Sequence, residues 1–146
     1  MGLILVNSGK KRMMKYTLVD TCIWVDFFKD SNTSVNDRLE KLISEDSILI
    51  SDVVRAELLI GARDRIEMGE LSSVLDGLNL AKIESETFIK AGELGFIMRR
   101  AGFTLPLTDL IIAAQAIQLE SQIWTYDKHF FTLEKILEID LLYRLK

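Results

Sequence analysis

The chain has 146 residues, 49% of them hydrophobic, which suits one domain with a real core and is too apolar for a disordered chain. Acids outnumber bases, 22 to 18, for a net charge of -4. That balance counts against a protein that only coats nucleic acid, and is neutral for an enzyme whose acids are offset by bound cations. The lone Cys22 excludes an intrachain disulfide and a paired-cysteine zinc site, which fits a reducing cytoplasm, and no apolar run reaches the length of a membrane span.

In chain order, residues 1–14 read as a loose extension ahead of a folded domain over 15–146. Their short apolar run lacks the basic leader and the longer apolar region of a signal peptide. Lys10, Lys11, Arg12 and Lys15 form a basic cluster, repeated in small at Arg99 and Arg100. Any one pair reads as solvated surface, but as a set these residues could contact phosphate. Residues 16–20 read as a buried strand ending in an acid, and 22–28 as an apolar, aromatic stretch able to open a helix. Residues 35–43 have helical spacing, with Val35, Leu39, Leu42 and Ile43 on one face. A strand is predicted over 47–51, then a helix capped by Ser51 or Asp52 and running toward Arg65. Residues 71–78 give an amphipathic turn or two, and 80–83 a weaker strand. A long helix is predicted over 86–100, stopping at Gly102, and another capped by Thr108 through Leu119. Strands over 122–126 and 136–142 complete the set. Strands alternating with helices imply an α/β domain: a central parallel sheet of about four to five strands with helices on both faces. Ligands of such sheets sit beyond the carboxyl ends of the strands.

Four acids stand out by position. Asp20 ends the first strand, although a helix cap is an ordinary use for it. Glu57 lies one helical turn from Val53 and Ile60, at the margin of the buried face, where a carboxylate needs a positive partner, a cation or an arginine such as Arg55 or Arg63. Asp109 heads the helical stripe of Ile112, Ala113 and Ala116, although a first-turn acid is also favoured by the helix dipole. Asp127 follows a strand, as many turn aspartates do. Each alone has an ordinary structural use. Together they put carboxylates at element ends and on inward faces, where carboxylates are normally avoided. If they meet, their mutual repulsion is relieved by a hard divalent cation with oxygen ligands. Magnesium suits few carboxylates plus retained waters, and such a site can activate water and neutralise charge building on a phosphate.

The same residues carry a resemblance. Leu18-Val19-Asp20-Thr21-Cys22-Ile23-Trp24, Ser51 with Glu57-Leu58 and Gly61, Leu105-Pro106 with Asp109, Ile112, Ala113, Ala114 and Ala116, and Thr125-Tyr126-Asp127-Lys128-His129-Phe130 occur in that order. Over about residues 15 to 140 the chain resembles PIN-domain ribonucleases, most closely the VapC-type toxins of toxin–antitoxin pairs. It departs from the pattern at Cys22, where serine or asparagine is commoner. The resemblance implies a PIN-like fold and an endoribonuclease using Mg2+ or Mn2+, in which a water activated by the cation attacks the phosphate in line. It implies that Asp20, Glu57, Asp109 and Asp127 ligate metal directly or through water, supported by hydrogen bonds from Thr21 and Thr125. It also implies an RNA substrate, a small antitoxin that blocks the site, a homodimer and a cytoplasmic location.

Other chemistries fit less well. The single histidine, His129, leaves the chain without the pair needed by a metal-free acid–base ribonuclease, and it reads as a structural or rim residue. There is no glycine-rich phosphate loop. A phosphate receiver would carry an adjacent acidic pair after the first strand, where Thr21 and Cys22 follow Asp20; Lys128 is its only support. A haloacid-dehalogenase-type phosphatase needs an aspartate where Cys22 stands. A non-catalytic interaction module has no need of all four acids.

Overall fold

A computed structural model describes residues 16–145. The extension expected over residues 1–14, with its basic cluster at Lys10, Lys11, Arg12 and Lys15, lies outside the described residues. Four short strands, β1 (Thr17–Val19), β2 (Ile48–Ser51), β3 (Asn79–Ala81) and β4 (Gln122–Trp124), form one sheet in the order β3-β2-β1-β4, parallel throughout. Every residue of β1 and β2 is buried. Successive side chains of a strand point to opposite faces, so the central strands are covered on both sides, as a parallel sheet flanked by helices requires.

The helices are α1 (Thr21–Lys29), α2 (Thr33–Ser44), α3 (Asp52–Ile60), α4 (Arg65–Leu75), α5 (Ser85–Arg100), α6 (Leu107–Gln118) and α7 (Lys128–Leu137). Side-chain oxygens open several of them. Asp20, Asn32, Ser51, Asp64 and Asp127 each accept from a backbone N–H of the first turn. Trp24 and Phe130 are the largest fully buried side chains of the core. Helix α6 is buried over seven consecutive residues, Leu110 to Ala116, and runs through the interior as the central layer on its side of the sheet.

The element pattern departs from expectation in four places. The strand predicted over 136–142 does not form. Phe130 and Leu133, both fully buried, repeat at helical spacing and carry α7 to Leu137, leaving a lone parallel bridge between Ile123 and Leu142. The helix expected to run toward Arg65 stops at Ile60, because Gly61 caps it and Asp64 starts α4 afresh. The turn or two expected over 71–78 is therefore the end of that longer helix. Finally, Pro106 at φ -59 sets the start of α6, so Thr108 lies inside the first turn and does not cap it.

The strand order places a reversal at β1. The chain steps outward from β1 to β2 and β3, then returns through α5 and α6 to β4 on the other side of β1. This reversal opens a crevice at the carboxyl ends of β1 and β4. A buried polar bridge fixes α6 against the other half of the sheet. Ser51 Oγ donates to Gln115 Oε1 at 2.6 Å, and Gln115 Nε2 donates to the carbonyls of Ala81 and Lys82 at 3.0 and 3.2 Å. Both side chains are fully buried, so removing the amide leaves these partners unpaired away from water. Gln115→Leu is expected to lower stability by about 2 kcal/mol, read as a lower urea midpoint at unchanged slope.

Candidate active site

Val19 and Trp124 are paired across the adjacent strands β1 and β4, and each strand delivers a polar residue one position later. Asp20 N donates to Trp124 O at 2.9 Å, so the strand ends are tied by their backbones. Thr125 Oγ1 donates to Asp20 Oδ2 at 2.7 Å and accepts from Asp127 N at 2.9 Å. Asp20 Oδ1 meanwhile accepts from Thr21 N at 2.8 Å, which caps α1. Both Asp20 and Thr125 are buried, and each oxygen of the Asp20 carboxylate accepts a hydrogen bond from a residue at the end of β1 or β4. Cys22 Sγ sits 3.7 Å from Asp20 Oδ2 and from Thr125 Oγ1 and accepts from Tyr126 N at 3.4 Å. Burial pushes its thiol up, so it faces Asp20 as S–H, a weak donor where a serine would be a stronger one.

Glu57 arrives from α3. Its Oε1 accepts from Thr21 Oγ1 at 2.9 Å. The buried face of α3 carries Val54 and Leu58, while Ile60 is 84% exposed, so Glu57 lies on the solvent side of the position expected for it. Neither arginine proposed as its partner reaches it. Arg55 pairs with Asp52 and Asp76, and Arg63 with Asp64 and Glu67.

Asp109 stands in the first turn of α6, half-buried, above Ile112, Ala113 and Ala116, which are fully buried as expected. Asp127 caps α7 by accepting from His129 N at 2.9 Å. That cap turns the His129 ring toward Asp109, with Nδ1 2.8 Å from Asp109 Oδ2 and 3.3 Å from Asp127 Oδ1. His129, expected as a structural or rim residue, thus bonds two of the acids while staying part exposed. Sequence reading missed it because residues 128–137 did not register as a helix. With Asp127 as an N-cap, the residue two positions on necessarily lies beside the cap carboxylate.

All four predicted acids line one cleft of about 430 Å³, together with Thr21, Cys22 and Tyr126. Thr125 is buried beneath it. Asp109, Asp127 and His129 bring one potential ligand atom each within 4.8 Å of one another, and Asp20 and Glu57 complete the walls. Burial pushes the Asp109 carboxyl above its ordinary range; its hydrogen bond with His129 opposes the rise, and the charges of Asp127 and Asp20 add to it. A donor set of clustered carboxylate oxygens and one imidazole, with charge to be neutralised, fits a divalent cation.

Comparison with known proteins agrees with this geometry. Residues 17–136 match the family model of the PIN domain. The chain belongs to the PIN-domain family. It is 31% identical over 116 residues to ribonuclease VapC18 of Mycobacterium tuberculosis, covering 77% of this chain and 82% of that one. It is 28% identical over 123 residues to the VapC ribonuclease Mb1587 of Mycobacterium bovis, covering 82% and 92% of the two chains. Its fold matches VapBC2 from Rickettsia felis, crystallised on a DNA fragment from its promoter, at a TM-score of 0.74 and 23% identity, over 90% of this chain and 99% of that one. A DNA-bound VapBC from Salmonella typhimurium matches at a TM-score of 0.73 and 20% identity, over 88% and 97%.

The raised Asp109 value has a consequence for stability. The folded protein holds this proton more tightly than the unfolded chain, so the group's contribution to stability falls as pH rises from the ordinary carboxylate range through the folded value. In chelator-treated protein Asp109→Asn is expected to melt above the wild type at pH 7. The gap should close below about pH 4, where the carboxyl is neutral in both states. Thermal melts of the two proteins across pH check this.

Proposed function

We propose that this chain is a metal-dependent endoribonuclease of VapC type, hydrolysing RNA phosphodiester bonds as the toxin of a toxin–antitoxin pair. The reading rests on one observation: Asp20, Glu57, Asp109 and Asp127 line a single cleft at the carboxyl ends of β1 and β4. The ribonuclease names of its relatives support the activity, and the VapBC complexes among its structural neighbours support the antitoxin partner.

Asp20, Asp109 and Asp127 would hold Mg2+ or Mn2+, with Glu57 at the mouth of the cleft holding it directly or through water. When bound, the cation supplies charge to offset the phosphate and acidifies water. The chain's own residues do the positioning. Thr125, donating to Asp20 and accepting from Asp127 N, fixes the spacing of two carboxylates. Thr21 holds Glu57 over the cleft through its hydroxyl and Asp20 through its backbone N–H. Glu57, exposed at the mouth of the cleft and held by Thr21, would reach the cation or a water bound to it. Exposed Arg99 and Arg100, at the end of α5, are available to the RNA backbone.

The catalytic unit in this reading is residues 15–146, acting in the cytoplasm; among the described residues no helix is long and apolar enough to cross a membrane. A small antitoxin would cover the cleft, and exposed Ile60 and Ile66, at 84% and 76%, offer apolar surface for it. A homodimer is part of the proposal. Ile89 and Phe96, two turns apart on one side of α5, are 62% and 63% exposed, an apolar stripe suited to a second copy.

Purified protein should cut a structured RNA with Mg2+ or Mn2+, stop on chelation and resume on metal return. Asp109→Asn should lose at least about 100-fold while remaining folded by circular dichroism. Equal cleavage by both proteins would point to a contaminant or a wrong site. Thr125→Val, which removes the hydroxyl between Asp20 and Asp127, is expected to lower cleavage by about 10- to 100-fold. In cells, growth arrest on expression should disappear with Asp20→Asn; persistent arrest would separate toxicity from this cleft.

A further inference from the structure

We propose that His129 Nδ1 is a direct metal ligand of the cleft, giving the site a mixed carboxylate–imidazole character that favours Mn2+ and other transition cations over Mg2+. The inference rests on the reading that this cleft binds a divalent cation and adds a ligand to it.

The backbone N–H of His129 donates to Asp127 Oδ1 at 2.9 Å, which sets the residue beside that carboxylate at the start of α7. From there Nδ1 faces two carboxylates at once, Asp109 Oδ2 at 2.8 Å and Asp127 Oδ1 at 3.3 Å. A ring nitrogen carries at most one proton and makes one good hydrogen bond with it, so a hydrogen bond to Asp109 accounts for one of the two approaches. The cap bond brings Asp127 beside the ring as well, so Nδ1 and two carboxylates converge on a point that one cation could share. Neighbouring ligands of an octahedral ion with bonds of about 2.1 Å stand about 3 Å apart, and the two observed separations bracket that value. Nδ1 thus already lies at ligand spacing from both carboxylates, the three atoms stand within 4.8 Å of one another, and the ring is 39% exposed, free to make the small adjustment needed.

The chemical consequence is selectivity. Carboxylates alone suit hard cations such as Mg2+, which keeps its waters and gains little from an imidazole. A nitrogen donor adds affinity for transition cations and leaves Mg2+ nearly indifferent. His129 would therefore decide which cation the site prefers, not whether it binds one.

His129 is the only histidine in the chain, so one signal reports on it. The experiment uses untagged full-length protein loaded with Mn2+ alone, read by electron spin-echo envelope modulation for 14N coupling, with calorimetric titration of Mn2+ and Mg2+. His129→Gln is the matched variant, since its amide can still donate to Asp109 without supplying an imidazole nitrogen. The expected result is 14N modulation in the wild type and its loss in His129→Gln. Mn2+ affinity should fall by about tenfold or more, and Mg2+ affinity by distinctly less. Saturable Mn2+ binding to the wild type without 14N modulation, or an equal fall for both ions, would overturn the proposal and leave His129 as a residue that only orients Asp109. If neither ion binds the wild type saturably, the metal reading of the cleft has failed, a result distinguishable from the first. The wild-type spectrum decides the matter even if the variant does not fold.

Discussion

The hydrogen bond from Thr125 to Asp20 joins the ends of two adjacent parallel strands, and much of the architecture converges on it. Its donor and acceptor are neighbours only because Val19 is in register with Trp124. That register depends on the return of the chain through α5 and α6, and on Gln115 holding α6 to the ends of β2 and β3. A slip of one residue in either strand would turn one of the two side chains to the opposite face, away from the other. The fold therefore sets the separation of the buried carboxylates through backbone pairing, a stiffer device than side-chain packing.

The arrangement is costly to the resting protein. Burial, and then the charges of Asp127 and Asp20, raise the proton affinity of Asp109 in a partly buried cleft, and its hydrogen bond with His129 opposes only part of that rise. Much of the remaining carboxylate demand is met by local donors: Thr21 N, Thr125 Oγ1 and the Cys22 thiol for Asp20, and His129 N for Asp127. These donors keep the acids ordered without neutralising them. An ordered and incompletely neutralised cluster is what a cation-dependent site requires, because both the geometry and the electrostatic demand exist before the ion arrives.

Where sequence and structure agree, a local signal carried the information. The buried strands at 17–19 and 48–51 announced themselves by apolar runs, and the inward stripe of α6 by its spacing below Asp109. The four acids were recognisable because element ends and inward faces are poor places for unpaired carboxylates. Where they disagree, a tertiary choice overruled a local one. Ile136 and Leu142 sit in a β-prone segment, yet the packing of Phe130 and Leu133 extended α7 through the first of them. That misreading hid His129, whose relation to Asp109 crosses 20 residues and exists only once α6 and α7 are docked. Glu57 was placed on the right helix but nearer the core than it is, because Ile60 reads as an inward residue and is not one.

The segment after α7 deserves a separate reading. Ile123 N donates to Leu141 O at 2.9 Å and Tyr143 N donates to Ile123 O at 2.8 Å, with Tyr143 packed against Trp124. These bonds occupy the outer side of β4, a sheet margin that would otherwise present unpaired backbone groups to any extended chain it met. The tail therefore works as a selvedge, finishing the weave along the edge strand β4. Solubility, and the tolerance of this end for fused tags or truncation, turn on keeping Leu141 to Tyr143 stitched to Ile123.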